Sequence, residues 1–211
     1  MKEAVVCVHG LFMNGLDMAL LRHRIARSGY DVYQFRYPSR HRSARQNAAY
    51  LNDFVQQLPH DTVHFVCHSL GGLVIRHYFQ NFQAQRPGRV LTMGTPHQGS
   101  AIAVALNRHR LGRWLLGKSV EDALLGHVPD WQADRDLGIV AGTRCIGVSW
   151  FVPVLKPPND GTVEVRETQL PGAADRLILH VSHMIMLFSR QVAEQTCYFL
   201  EHGHFQHDEL E

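Results

Sequence analysis

Ser69 lies in the run Val66-Cys67-His68-Ser69-Leu70-Gly71-Gly72, after a short apolar stretch from Val63 to Val66 and before a helical one from Leu73 to about Phe82. A serine on a tight strand-to-helix turn has its Oγ held clear of its neighbours, and the sharp bend calls for small residues two places to either side. Gly71 meets that need, whereas Cys67 stands where glycine is usual. A serine hydroxyl is a weak nucleophile at neutral pH, so it needs a base within hydrogen-bond reach and a carboxylate to orient that base. In an open parallel sheet such groups gather at the carboxyl ends of the strands. Two residues answer the description: Asp160, in Pro157-Pro158-Asn159-Asp160-Gly161-Thr162-Val163, and His183, in Val181-Ser182-His183-Met184. The bland alternatives are a helix cap for Ser69 and an everyday Asn-Asp-Gly turn for Asp160. Asp175 precedes the last strand and so falls at the wrong end of the sheet. His180 falls inside the strand run Leu177 to Val181, where a structural histidine is expected.

Acyl chemistry also needs two backbone N–H groups aimed at the oxygen of a tetrahedral intermediate. Leu70, just after the serine, supplies one. The other is expected from the loop Val8-His9-Gly10-Leu11-Phe12-Met13-Asn14-Gly15, where Gly10 lets the chain turn the Leu11 N–H inward and His9 shapes the loop by hydrogen bonding. Phe12, His68 and His97 border this region and are the candidate substrate contacts, with packing as the competing role for the two histidines. No metal or cofactor is called for.

The elements that must position these groups alternate along the chain, the pattern of an α/β fold with a mostly parallel central sheet flanked by helices. Strands are predicted at 4–8, 32–37, 62–67, 90–93, 144–148 and 177–181, and helices at 17–28, 44–58, 73–82 and 184–200. About fifty residues between the fourth and fifth strands break the alternation. Residues 101–138 are expected to form a small helical cap or lid within a single domain spanning 1–211. Its segment Arg108 to Lys118 mixes cations with Trp114 and several leucines, a composition able to lie on an anionic lipid surface. The preferred reading folds Leu and Trp onto the core and leaves a solvated basic face. Either way, an apolar substrate portion is implied. The tail beyond Leu200, with His202, His204 and His207, is expected to fray rather than bind metal.

With 21 Lys+Arg against 19 Asp+Glu and a net charge of +2, nothing draws the whole chain toward nucleic acid. The four cysteines, Cys7, Cys67, Cys145 and Cys197, are scattered, and three fall in expected buried strands, so they read as core residues in a reducing compartment. The chain enters a strand by Val5, leaving no room for a leader, and no run approaches the roughly 20 apolar residues of a membrane span. The expected setting is the cytoplasm.

Taken together, the turn at Ser69, Val8-His9-Gly10-Leu11, Gly94-Thr95-Pro96-His97-Gln98-Gly99-Ser100, Asn159-Asp160-Gly161-Thr162-Val163 and Ser182-His183 resemble the α/β-hydrolase superfamily and, within it, the lipase-like esterases. The resemblance spans nearly the whole chain, in the chain order Ser, Asp, His. It implies nucleophile Ser69, base His183, orienting Asp160, oxyanion donors Leu11 and Leu70, and hydrolysis of a small-molecule or lipid acyl ester. A thioesterase or acyltransferase would use the same constellation, and a catalytically silent binding member of the fold is the non-enzymatic alternative. No protein partner is implied.

Overall fold

A computed structural model describes residues 2–82, 85–120 and 122–207. The chain order is β1 (Ala4–Val8), α1 (Ala19–Arg27), β2 (Asp31–Phe35), α2 (Ala44–Gln56), β3 (Val63–His68), α3 (Leu70–Asn81), β4 (Val90–Met93), α4 (Ala101–Asn107), α5 (Arg110–Leu116), β5 (Leu137–Gly142), β6 (Asp175–Leu179) and α6 (Arg190–His202). The six strands form one sheet in the order β2-β1-β3-β4-β5-β6, and every pairing is parallel.

A parallel sheet covered on both faces needs strands apolar at every position. Accordingly, every residue of β1, β3, β4 and β5 is buried. Alternate side chains serve opposite faces. Val6, Val8, Phe65 and Cys67 join Leu51, Val55, Leu73 and Tyr78 of α2 and α3, while Val5, Cys7 and Val66 join Leu21 and Ile25 of α1 and Phe199 of α6. Ser43 opens α2 with a capping box to Gln46, and Ser189 caps α6, which closes on Gly203 in the left-handed conformation; both ends so satisfy otherwise orphaned amides or carbonyls.

The fifth strand differs from expectation. It is Leu137–Gly142, while residues 144–148 form a loop whose Cys145, Ile146 and Val148 are exposed. Gly138 and Gly142 read as strand breakers, yet each is there for close packing: a Cβ at Gly138 would lie 2.8 Å from the Phe199 ring, and one at Gly142 would lie 2.5 Å from the Met186 methyl group. The tail also departs from expectation, because Phe205 is buried, its N–H donates to Asp175 (2.7 Å), and His207 Nε2 meets the same carboxylate at 2.9 Å.

Between β4 and β5, α4 and α5 are held against the β2–α2 loop by Arg40, whose guanidinium donates to the Trp114 and Leu115 carbonyls, each at 2.8 Å. Asp122 accepts from the Ala44 and Arg45 amides at the start of α2 (2.8 and 2.9 Å), a carboxylate placed at the positive end of a helix. Only part of the preferred reading of α5 survives. Gly112 and Leu116 are buried, but Leu111 and Trp114 stand 67% and 66% exposed, because the buried side of so short a helix is used up against α4.

Burial sets a pH limit on this core. His97 is pushed down to about 3 by burial and secondarily by the Arg76 charge, and burial also lowers His9, His64 and His68. An unfolded histidine takes up a proton below about 6.5 while these stay neutral, so stability is present above that pH and drains away as pH falls toward the folded value. We expect the melting temperature to drop between about pH 6.5 and 4.5, His97 alone contributing on the order of 2 kcal/mol. In His97→Gln the drop is shallower; an unchanged slope would contradict this account.

Candidate active site

Ser69 follows β3 directly, and its backbone stands at φ 52°, ψ −120°, a region a non-glycine residue enters only when its surroundings compel it. Three contacts compel it. The Ser69 N–H donates to Met93 O at the end of β4 (2.9 Å). The Ser69 carbonyl accepts from Thr95 Oγ1 (2.9 Å) and from the Gly72 N–H (3.1 Å). Gly71 passes so close to β1 that any Cβ there would collide with the Val8 carbonyl oxygen. Cys67 meets a milder demand: its side chain points into the core beside α2 and α3, fully buried, and burial holds its thiol well above the usual range.

Asp160 and His183 are brought together from separate loops. His183 Nδ1 lies 2.7 Å from Asp160 Oδ2, and the His183 N–H donates to the Asp160 carbonyl at 2.9 Å. The other carboxylate oxygen, Oδ1, accepts from the Thr162 and Val163 amides (2.9 and 2.7 Å). Both residues are buried. A carboxylate only accepts, so the imidazole proton belongs on Nδ1 and the Nε2 lone pair is left free. The pair adjoins the serine turn through Gly94, next to Met93, where a Cβ would come 2.9 Å from His183 Nδ1 and 3.2 Å from Asp160 Oδ2. Ser69 Oγ forms no hydrogen bond among the described residues.

His68 is the second link. It is fully buried, lies 4.7 Å ring to ring from His183 and contacts the His183 carbonyl through Nε2 at 3.0 Å. Because a carbonyl only accepts, Nε2 carries the proton. Burial, with the nearby His183 next, holds His68 far below the usual imidazole range, so it is a neutral support beneath His183. His97 is likewise buried, against Thr92 Oγ1 (3.1 Å). Both histidines are thus as buried as His183 itself. Phe12, at φ 63° and 61% exposed, does stand open beside the site.

The loop after β1 is fixed by a pair that sequence reading caught by half. His9 stacks on Tyr37 at 4.3 Å, its Nδ1 lies 2.9 Å from Gly10 O, and its Nε2 accepts from the Tyr37 N–H (3.3 Å). Tyr37 O–H in turn donates to His9 O at 2.6 Å. With Gly10 O held by Nδ1–H, the planar trans peptide sends the Leu11 N–H the opposite way. Neither the Leu11 nor the Leu70 amide donates to another group among the described residues, and the Leu70 N–H also carries the positive end of α3. Tyr37 and Thr95 were missed; the Gly94-Thr95 pair in the sequence was the available signal for Thr95, and nothing local marks Tyr37.

A family model of palmitoyl protein thioesterases matches residues 4–125, more than half of the chain, from β1 through the serine turn to α5 and beyond. The chain belongs to the palmitoyl protein thioesterase family. Asp160 and His183 lie outside the matched segment. This family member is also similar to the mature lipase BlEst2 of Bacillus licheniformis, at 21% identity over 95% of this chain and 91% of that one, TM-score 0.72. It is similar as well to a metagenomic carboxyl esterase (19%, 86% and 64%, TM-score 0.70) and to the RedJ thioesterase of the prodiginine pathway in Streptomyces coelicolor (14%, 95% and 85%, TM-score 0.58). At these identities the likeness is one of fold, the α/β-hydrolase fold. No curated protein sequence matches this chain. Family and fold together make it a hydrolase of the lipase, esterase and thioesterase kind.

Proposed function

We propose that the protein hydrolyses carboxylic esters of apolar acyl groups through an acyl-enzyme on Ser69. The observation that carries this reading is the 2.7 Å contact of His183 Nδ1 with Asp160, at the ends of the strands next to a serine held at positive φ. In the proposed reaction Ser69 Oγ attacks the acyl carbonyl and its proton passes to His183 Nε2. The Leu11 and Leu70 N–H groups receive the developing oxyanion, and the alcohol departs with the proton from His183. Water, activated by the same nitrogen, then frees the acid and restores Ser69. Asp160 keeps the proton on Nδ1 and stabilises the transient imidazolium.

A fluorophosphonate probe tests the nucleophile: labelling is expected in the wild type and absent in Ser69→Ala. An unlabelled, folded wild type would favour a silent binding member of the fold. The bond and acyl group are read with p-nitrophenyl esters from acetyl to octanoyl, across which turnover is expected to rise. A steady fall would mean a small-acyl esterase. Thioester hydrolysis is the second reading, favoured by the family match; acyl-coenzyme A thioesters turned over faster than the matched esters would put it first.

The His9 pair supplies a more pointed expectation. His9→Phe keeps a ring against Tyr37 but frees the Gly10 carbonyl, so the Leu11 N–H loses its aim. We expect kcat to fall by about 10- to 100-fold with KM little changed, since the donor acts on the transition state. A change confined to KM would remove Leu11 from the oxyanion hole.

A further inference from the structure

Because all six strands are parallel, each connection leaving a carboxyl end starts on the face that carries Ser69, and each strand start lies on the opposite edge. On the Ser69 face exposed aromatic and basic side chains gather, a local excess that the net charge of +2 averages out. There the Arg40 guanidinium stacks over both Phe12 (5.4 Å) and Trp114 (4.9 Å), so two exposed aromatic rings, from the loop after β1 and from α5, flank one cation. A second aromatic pair follows β5, where Trp150 and Phe151 stand 70% and 87% exposed. Met184 and Ile185, next to His183, are exposed too. Cations accompany them: residues 36–43 and 108–118 together carry seven Arg and Lys and no carboxylate, and the two segments are tied to each other by Arg40 and by Lys118 N–H to Arg40 O (2.9 Å). At the opposite edge the carboxylates are met by cations, Asp31 by Lys2 (3.7 Å) and Asp136 by Arg89 (3.0 Å).

We propose that the protein docks on anionic lipid surfaces with its Ser69 face toward the bilayer, the exposed aromatics entering the headgroup region and the cations of 36–43 and 108–118 meeting lipid phosphates. Trp and Phe favour the membrane–water boundary, where ring and headgroup coexist. Each nearby Arg or Lys adds attraction to an anionic leaflet. A second copy fits the face poorly, since face-to-face pairing sets like cations against each other. Nucleic acid would satisfy the arginines and leave Phe151 and Leu111 in water. Docking of this kind is independent of the hydrolysis reading.

The test uses full-length Ser69→Ala protein and sedimentation with phosphatidylcholine vesicles, with and without phosphatidylglycerol, so binding is read without turnover. Binding is expected to phosphatidylglycerol vesicles and to be weak to phosphatidylcholine alone. Arg110→Ala/Arg113→Ala weakens it by about thirtyfold, as does high salt, and Trp150→Ala/Phe151→Ala by about tenfold at either salt level. With Ser69 intact, both double variants keep wild-type turnover of soluble p-nitrophenyl acetate. The proposal is overturned by no binding to phosphatidylglycerol vesicles, by equal binding to both vesicle types, or by a dimer that Trp150→Ala/Phe151→Ala converts to monomer.

Discussion

Ser69→Ala is expected to lower ester and thioester turnover by about 10⁴- to 10⁶-fold, the loss that follows when the nucleophile of such a constellation is removed. Its stability should move the other way in a companion variant. Ser69 is one of two non-glycine residues at positive φ among those described, and a side chain held there stores on the order of 1–3 kcal/mol of strain. Ser69→Gly relieves it, so we expect an inactive protein with a raised melting temperature. Turnover retained at even a hundredth of the wild-type level in Ser69→Ala would exclude Ser69 as the nucleophile. A lowered melting temperature in Ser69→Gly would instead show that the bend is held at little cost.

The second large effect is expected for Asp160→Asn. The Thr162 and Val163 amides donate to Oδ1, so the amide oxygen of an asparagine takes that place and its NH₂ turns toward His183 Nδ1. An NH₂ group donates, which makes Nδ1 the acceptor and moves the imidazole proton to Nε2, the atom that must receive the serine proton. Turnover should fall by about 10⁴-fold with the fold intact. In the pH profile, the decline should persist on the alkaline side, since raising the pH does not restore the tautomer. A loss of less than tenfold would mean that another group orients His183.

The constellation was legible in the sequence because its members sit beside strong local signals. Gly71, Gly10 and Asn159-Asp160-Gly161 mark turns, and the apolar runs before Ser69 and Leu11 are strands buried on both faces, continuous in hydrophobicity. The fifth strand was not legible. Gly138 and Gly142 carry the usual mark of a loop, and only the approach of Phe199 and Met186, residues distant in sequence, makes glycine the residue that fits. Residues 144–148 carry a strand-like composition, yet no strand lies free beyond β5 to pair with them there. His68 and His97 neighbour functional motifs in the sequence, but their burial was not legible there, because side-chain direction is not written in adjacency. The α5 helix misled in the opposite sense, since apolar composition predicts burial only where an unoccupied core surface remains to receive it.

The seating of Phe205 has a mechanical meaning. β6 is an outer strand with one neighbour, β5, and His183 follows its carboxyl end by four residues. Its other end is anchored by the tail, where Asp175 receives the Phe205 amide and His207. The histidine is therefore mounted on a beam clamped at its far end by the last described residues of the chain. Loosening of that clamp would reach the chemistry as play in the base rather than as loss of fold.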